Sequence, residues 1–230
     1  MVKIFADSAN LSEMEEMNSN PLVVGFTTNP TLMRKAGVKD YETWGRALCE
    51  RFPEHPISFE VIADDFSEMY RQAKKLATWG ERVYVKIPVV NTGGEFAGDI
   101  IRSLADEKVK LNVTAVMSYE HIHKVMDCFS YKTPAIMSVF AGRIADTGRQ
   151  PQRLVRKAVG ARKHKWHEIL WASPRQVLDV YLAEECGCDI ITVTKEILSK
   201  LKLEGKGLKE FSRETSEMFY NDAKAAGYTL

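Results

Sequence analysis

The chain has 230 residues, 45% of them hydrophobic and 27% charged, with a formal net charge of +1. That length accommodates one domain with a large core, and near-neutrality provides no field to draw nucleic acid or an acidic membrane surface, so phosphate recognition has to be local. No apolar run reaches the roughly 18 residues needed to cross a bilayer and no charged-then-apolar leader opens the chain, so no membrane partner and a cytoplasmic location are expected.

In chain order, short apolar and β-branched runs mark strands at residues 3–8, 23–29, 57–62, 83–89, 110–116, 135–140, 168–173 and 189–194. Helical spacing fills the gaps at residues 11–17, 41–51, 67–78, 96–107, 119–128, 152–164 and 174–186. Strands of this kind alternating with helices indicate a parallel sheet, and eight repeats favour closure, so the expected fold is an α/β architecture of the (β/α)8 TIM barrel type. One domain is expected over residues 1–230, with an extra C-terminal helix at 208–226 beyond a break at Gly205 and Gly207. Leu208, Phe211, Met218 and Phe219 give that helix an apolar stripe, which either covers the barrel or reaches a neighbouring subunit; a homo-oligomer is expected.

A barrel builds its site at the carboxyl ends of its strands. The first strand ends in Asp7-Ser8, the second in Thr27-Thr28-Asn29-Pro30, and the third carries Glu60. Lys86 closes the fourth, Asn112 and Thr114 lie in the fifth, Ser138 in the sixth and Ser173 at the end of the seventh. Taken singly, most have a plain structural role, since aspartate and asparagine cap helices and threonine packs in strands. Lys86 is less easily explained in the run Val83-Tyr84-Val85-Lys86-Ile87-Pro88-Val89, because burying an unpaired ammonium costs several kcal/mol. A neutral, desolvated lysine is a nucleophile; the alternative is a strand-end lysine that snorkels to solvent or pairs with a carboxylate.

With Asp7, Glu60 and Thr114 at comparable places on other strands, the set contains an amine nucleophile, two acids to move protons and donors for a polyhydroxylated substrate. Arg143 and Arg175, after the sixth and seventh strands, are candidates to grip a phosphate, the alternative being a surface arginine paired to a neighbour. His121 and His123 point in different directions on a helix, His55, His164 and His167 have no ligand spacing, and Cys186-Gly187-Cys188 lacks a second pair, so no metal is expected.

Ala6-Asp7-Ser8-Ala9, Gly25-Phe26-Thr27-Thr28-Asn29-Pro30-Thr31-Leu32, Val85-Lys86-Ile87-Pro88, Leu111-Asn112-Val113-Thr114-Ala115-Val116 and Ser138-Val139-Phe140-Ala141-Gly142-Arg143 together resemble the transaldolase family in its short form. The resemblance implies a cofactor-free class I aldol mechanism on phosphosugars, in the pentose phosphate pathway. Lys86 matches the family's Schiff-base lysine, Asp7 its proton-transfer aspartate, and Glu60 the acid/base that works through a water held with Thr114. Thr27, Asn29, Asn112 and Ser138 match positions that bind the ketose, and Arg143 the arginine that grips phosphate.

Related fructose 6-phosphate aldolases carry Gln, Gly and Tyr where Glu60, Asn112 and Phe140 stand. All three residues here are transaldolase-like, and a phenyl ring at 140 cannot donate a proton to release the three-carbon unit. The implied activity is transfer of a dihydroxyacetone unit from fructose 6-phosphate or sedoheptulose 7-phosphate to an aldose phosphate. The alternatives are an aldolase that releases free dihydroxyacetone and a barrel that binds phosphosugars without reacting. Ser173-Pro174-Arg175 is shorter than the corresponding segment of relatives. Arg175 therefore either matches a second phosphate arginine or, with Pro174 in a first turn, opens the next helix.

Overall fold

Side chains alternate across a strand, and that period sorts each of the eight runs into an outward face of large apolar residues and an inward face that turns polar toward its carboxyl end. The strands are β1 (Lys3–Asp7), β2 (Val23–Thr27), β3 (Ile57–Glu60), β4 (Val83–Pro88), β5 (Leu111–Val116), β6 (Ala135–Val139), β7 (His167–Trp171) and β8 (Ile190–Val193). In the computed structural model, which describes residues 2–230, they form a closed barrel in sequence order, every neighbouring pair parallel. The expected (β/α)8 barrel is therefore the observed one.

The helices between them are α1 (Leu11–Asn18), α2 (Pro30–Lys35), α3 (Tyr41–Arg51), α4 (Phe66–Ala77), α5 (Gly98–Asp106), α6 (Tyr119–Cys128), α7 (Ala141–Ala145), α8 (Gln152–Ala161) and α9 (Leu178–Glu185). Outward residues such as Phe59, Val85, Ile87, Val113 and Trp171 are fully buried. Phe59, for example, sits 6.1 Å from the Trp44 ring of α3 and 5.2 Å from Trp79, edge-on to both. Asn10, Asn29, Asp40, Asp65 and Ser118 each accept a backbone N–H in the first turn of the helix they precede.

Three features of the barrel shape its interior. Phe5, Ile136, Leu170, Ala172 and Ile190 pack with Tyr84 and Phe140 into an apolar floor. Gly25 makes room for it, since a Cβ there would stand 2.7 Å from the Phe5 ring. On β5 the register gains a residue between Val113 and Val116, a bulge with Ala115 at φ 61°.

The short helices α2 and α7 were not expected, and α9 begins later than residue 174. The Asp179 carboxylate accepts from the backbone N–H of Arg175 at 2.6 Å and of Gln176 at 3.2 Å, which holds the segment after β7 as a loop. Pro174 therefore does not open the helix. Strand β2 stops at Thr27, two residues before its expected end, because Asn29 turns to cap α2 with Pro30 in the first turn.

The structure divides into two compact units, Met1–Leu198 with the barrel and Ser199–Leu230. Helix α10 (Lys195–Lys200) and a 3₁₀ turn (Leu201–Leu203) lead to α11 (Leu208–Ala225). Within the second unit Arg213 bonds Glu217 one turn on at 2.8 Å, and Lys206 pairs with Glu214. No residue of α11 is buried, and Leu208, Phe211, Met218 and Phe219 are exposed.

Candidate active site

The inward polar residues converge on a cavity of about 380 Å³ at the carboxyl ends of the strands. Asp7, Thr27, Asn29, Glu60, Lys86, Asn112, Thr114, Ser138, Phe140, Arg143 and Ser173 all line it; Arg175 does not. Their meeting follows from register: β3 sets Glu60 against Lys86, β4 sets Lys86 against Asn112, and β1 sets Asp7 against Thr27.

Lys86 is only 6% exposed. Its Nζ donates to the Thr28 carbonyl at 2.7 Å and pairs with Glu60 Oε2 at 2.9 Å, so the buried ammonium has both a counter-charge and a neutral acceptor. The Tyr41 hydroxyl donates to the Glu60 carbonyl at 2.9 Å and ties that strand end to α3. Across the cavity, Thr27 Oγ1 donates to Asp7 Oδ1 at 2.7 Å. Burial pushes the Asp7 carboxyl above its ordinary range, against the opposing pull of the Lys86 charge and the Thr27 hydroxyl, while the Glu60 charge adds to the rise.

A third group is neutral. Ser138 Oγ lies 2.6 Å from Asn112 Oδ1, and Asn112 Nδ2 lies 3.1 Å from Ser58 Oγ. The hydroxyls of Thr28 and Thr114 are buried with no hydrogen-bond partner among the described residues.

At the cavity's outer edge Arg143 projects from α7 and is exposed. Helix α7 abuts the end of β7 so closely that a Cβ on Gly142 would fall 1.5 Å from the Ser173 carbonyl oxygen, and Ser173 itself takes φ 61°. Arg175 spends its guanidinium on Asp146, with Nε 3.0 Å from Oδ1 and Nη2 paired to Oδ2. Among the described residues no group of three or more His, Cys, Asp or Glu side chains is placed to hold a metal ion.

The family model of transaldolase/fructose-6-phosphate aldolase matches residues 4–229. The chain belongs to the transaldolase/fructose-6-phosphate aldolase family. A probable transaldolase of Dehalococcoides mccartyi is 33% identical over 202 residues, 87% of this chain and 90% of its own. Another, of Bdellovibrio bacteriovorus, is 33% identical over 216 residues, 91% of this chain and 95% of its own. Among solved structures, 3-hexulose-6-phosphate synthase from Salmonella typhimurium aligns with a TM-score of 0.61 at 15% identity, covering 86% of this chain and 91% of its own, a likeness of fold.

Sequence reading did not single out some residues of this cavity. Thr31, Leu32, Leu170, Ala172 and Thr192 line it, Thr28 supplies the carbonyl that holds Lys86, and Ser58 lies behind Asn112. Ser58 and Thr192 had a usable signal, the period of two: Ser58 shares a face with Glu60, and Thr192 is a polar residue between apolar neighbours on β8. The Thr28 contact is made by a backbone carbonyl and has no side-chain signature.

Proposed function

We propose that the protein is a transaldolase that moves a dihydroxyacetone unit from a ketose phosphate to an aldose phosphate through a Schiff base on Lys86. The observation that carries this reading is the buried Lys86 ammonium, shared between Glu60 and the Thr28 carbonyl on the wall of an open cavity that also holds Asp7. Proton transfer from Lys86 to Glu60 leaves a neutral amine, which attacks the ketose carbonyl. Glu60, through a water that the unpartnered Thr114 hydroxyl helps to hold, returns a proton as the carbinolamine loses water to give the iminium. The Asp7 carboxylate, whose burial raises its affinity for a proton, takes the proton of the C4 hydroxyl; the C3–C4 bond breaks, C4 leaves as an aldehyde, and the electron pair of the bond moves into the iminium to give a three-carbon enamine.

From fructose 6-phosphate this leaves glyceraldehyde 3-phosphate, and from sedoheptulose 7-phosphate it leaves erythrose 4-phosphate. Arg143, which no carboxylate among the described residues binds directly, is the residue assigned to the phosphate. Phe140, Glu60 and Asn112 on the cavity wall support transfer over release of free dihydroxyacetone. The reading extends to a cytoplasmic role in the pentose phosphate pathway and to a homo-oligomer, the latter supported by the exposed apolar stripe on α11.

The test is the mass of the protein and its peptides after incubation with fructose 6-phosphate and borohydride. A reduced sugar-derived adduct on Lys86, absent from a folded Lys86→Ala variant, is expected. An unmodified protein that still binds the sugar would favour a non-catalytic barrel. Free dihydroxyacetone formed without acceptor, at the rate of transfer to erythrose 4-phosphate, would favour the aldolase.

A further inference from the structure

Ser58 sits on β3 two residues before Glu60, fully buried and outside the cavity lining. Its Oγ lies 3.1 Å from Asn112 Nδ2, and Asn112 Oδ1 lies 2.6 Å from Ser138 Oγ. The two lengths assign the protons. A separation of 2.6 Å suits O–H···O and is too short for an ordinary N–H···O, whereas 3.1 Å is an ordinary amide-to-oxygen distance. The amide carbonyl of Asn112 therefore faces Ser138 and its amino group faces Ser58.

This orientation fixes what the wall offers a ligand. Ser138 gives its proton to Asn112 and presents only lone pairs, while Asn112 keeps one N–H that is not spent on Ser58. Asn112 is the register partner of Lys86 on the adjoining strand, so the wall meets groups close to the carbonyl carbon that the lysine attacks. Without Ser58 the amino side of the amide has no anchor, and a flip would exchange donor for acceptor at both lining residues.

We propose that Ser58 is a positioning residue that sets the polarity of this wall, so that it reads a hydroxyl on a carbon adjoining the ketose carbonyl. That hydroxyl donates to Ser138 and accepts from Asn112. The proposal rests on the ketose reading above. It places a determinant of substrate binding one layer beneath the surface that touches substrate.

The experiment is steady-state transfer from fructose 6-phosphate by wild type, Ser58→Ala, Asn112→Ala and the double variant, with borohydride trapping of each. Ser58→Ala is expected to raise KM about tenfold while kcat stays within about threefold of wild type, because a mis-set polar pair weakens binding without touching the lysine. In the Asn112→Ala background, Ser58→Ala is expected to add less than about twofold, because its effect passes through that amide. An unchanged KM in Ser58→Ala, a loss confined to kcat, or an equal effect in the Asn112→Ala background overturns the proposal. Those results with the wild-type adduct still trapped leave the ketose reading standing; a wild type that traps no adduct overturns both.

Discussion

Asp7 is the residue whose ionisation the barrel most visibly disturbs. Its folded-state pKa lies above the ordinary value, so ionising it costs the folded protein. The stability contributed by its neutral form is complete below about pH 4 and is lost as the pH rises through the raised value. Asp7→Asn, neutral at every pH and still able to accept from Thr27, should unfold at a higher temperature than wild type at pH 7, with the gap closing below about pH 4. Turnover should fall at least about a hundredfold. The two arginines make a second contrast. Arg143→Ala should raise the KM for fructose 6-phosphate at least about tenfold, because a charged hydrogen bond is lost. Arg175→Ala should change it less than about threefold, because that guanidinium is bound to Asp146. Steady-state kinetics on both variants checks the pair. Sequence spacing could not separate them, since Asp146 lies 29 residues before Arg175 on another element.

The elements around the proposed phosphate end are short and held by single groups. Helix α7 has five residues and no side-chain cap, too few for a helical period to show in the sequence. Its place depends on Gly142, where a methyl group would meet the Ser173 carbonyl at 1.5 Å. Gly142→Ala should therefore cost about 1–3 kcal/mol in denaturant unfolding and raise the KM for fructose 6-phosphate, since Arg143 and Ser173 move apart. The loop from Ser173 to α9 depends on Asp179, whose carboxylate satisfies two backbone N–H groups. Asp179→Ala should destabilise the fold by about 1–3 kcal/mol and speed hydrogen exchange at Arg175 and Gln176. Helix α2 did carry a readable signal, the Asn29-Pro30 cap and first turn, although Asn29 both caps the helix and lines the cavity.

The eight-strand barrel accounts for residues up to Val193, and the last helix differs from the barrel's helices in exposure. A stripe of Leu208, Phe211, Met218 and Phe219 with none of α11 buried is a surface that water covers poorly. A chain ending at Leu203 should therefore elute at the mass of a single subunit in size-exclusion chromatography with light scattering, while the full chain elutes as a larger assembly. The shortened protein should still yield the borohydride adduct, because every residue assigned to the chemistry precedes Val193.

The order of strands and of the longer helices, the closure into a barrel and the identity of the polar residues at the strand ends were legible in the sequence. Strand alternation and element length are local properties, and eight repeats leave few other ways to bury them. What the tertiary structure alone decided was pairing between distant elements. It set Glu60 and the Thr28 carbonyl on Lys86, placed Ser58 behind Asn112, and turned Arg175 to Asp146 rather than to the cavity. Hydrogen bonds and ion pairs form over about 3 Å, and groups come that close only after the barrel has brought separate strands into register.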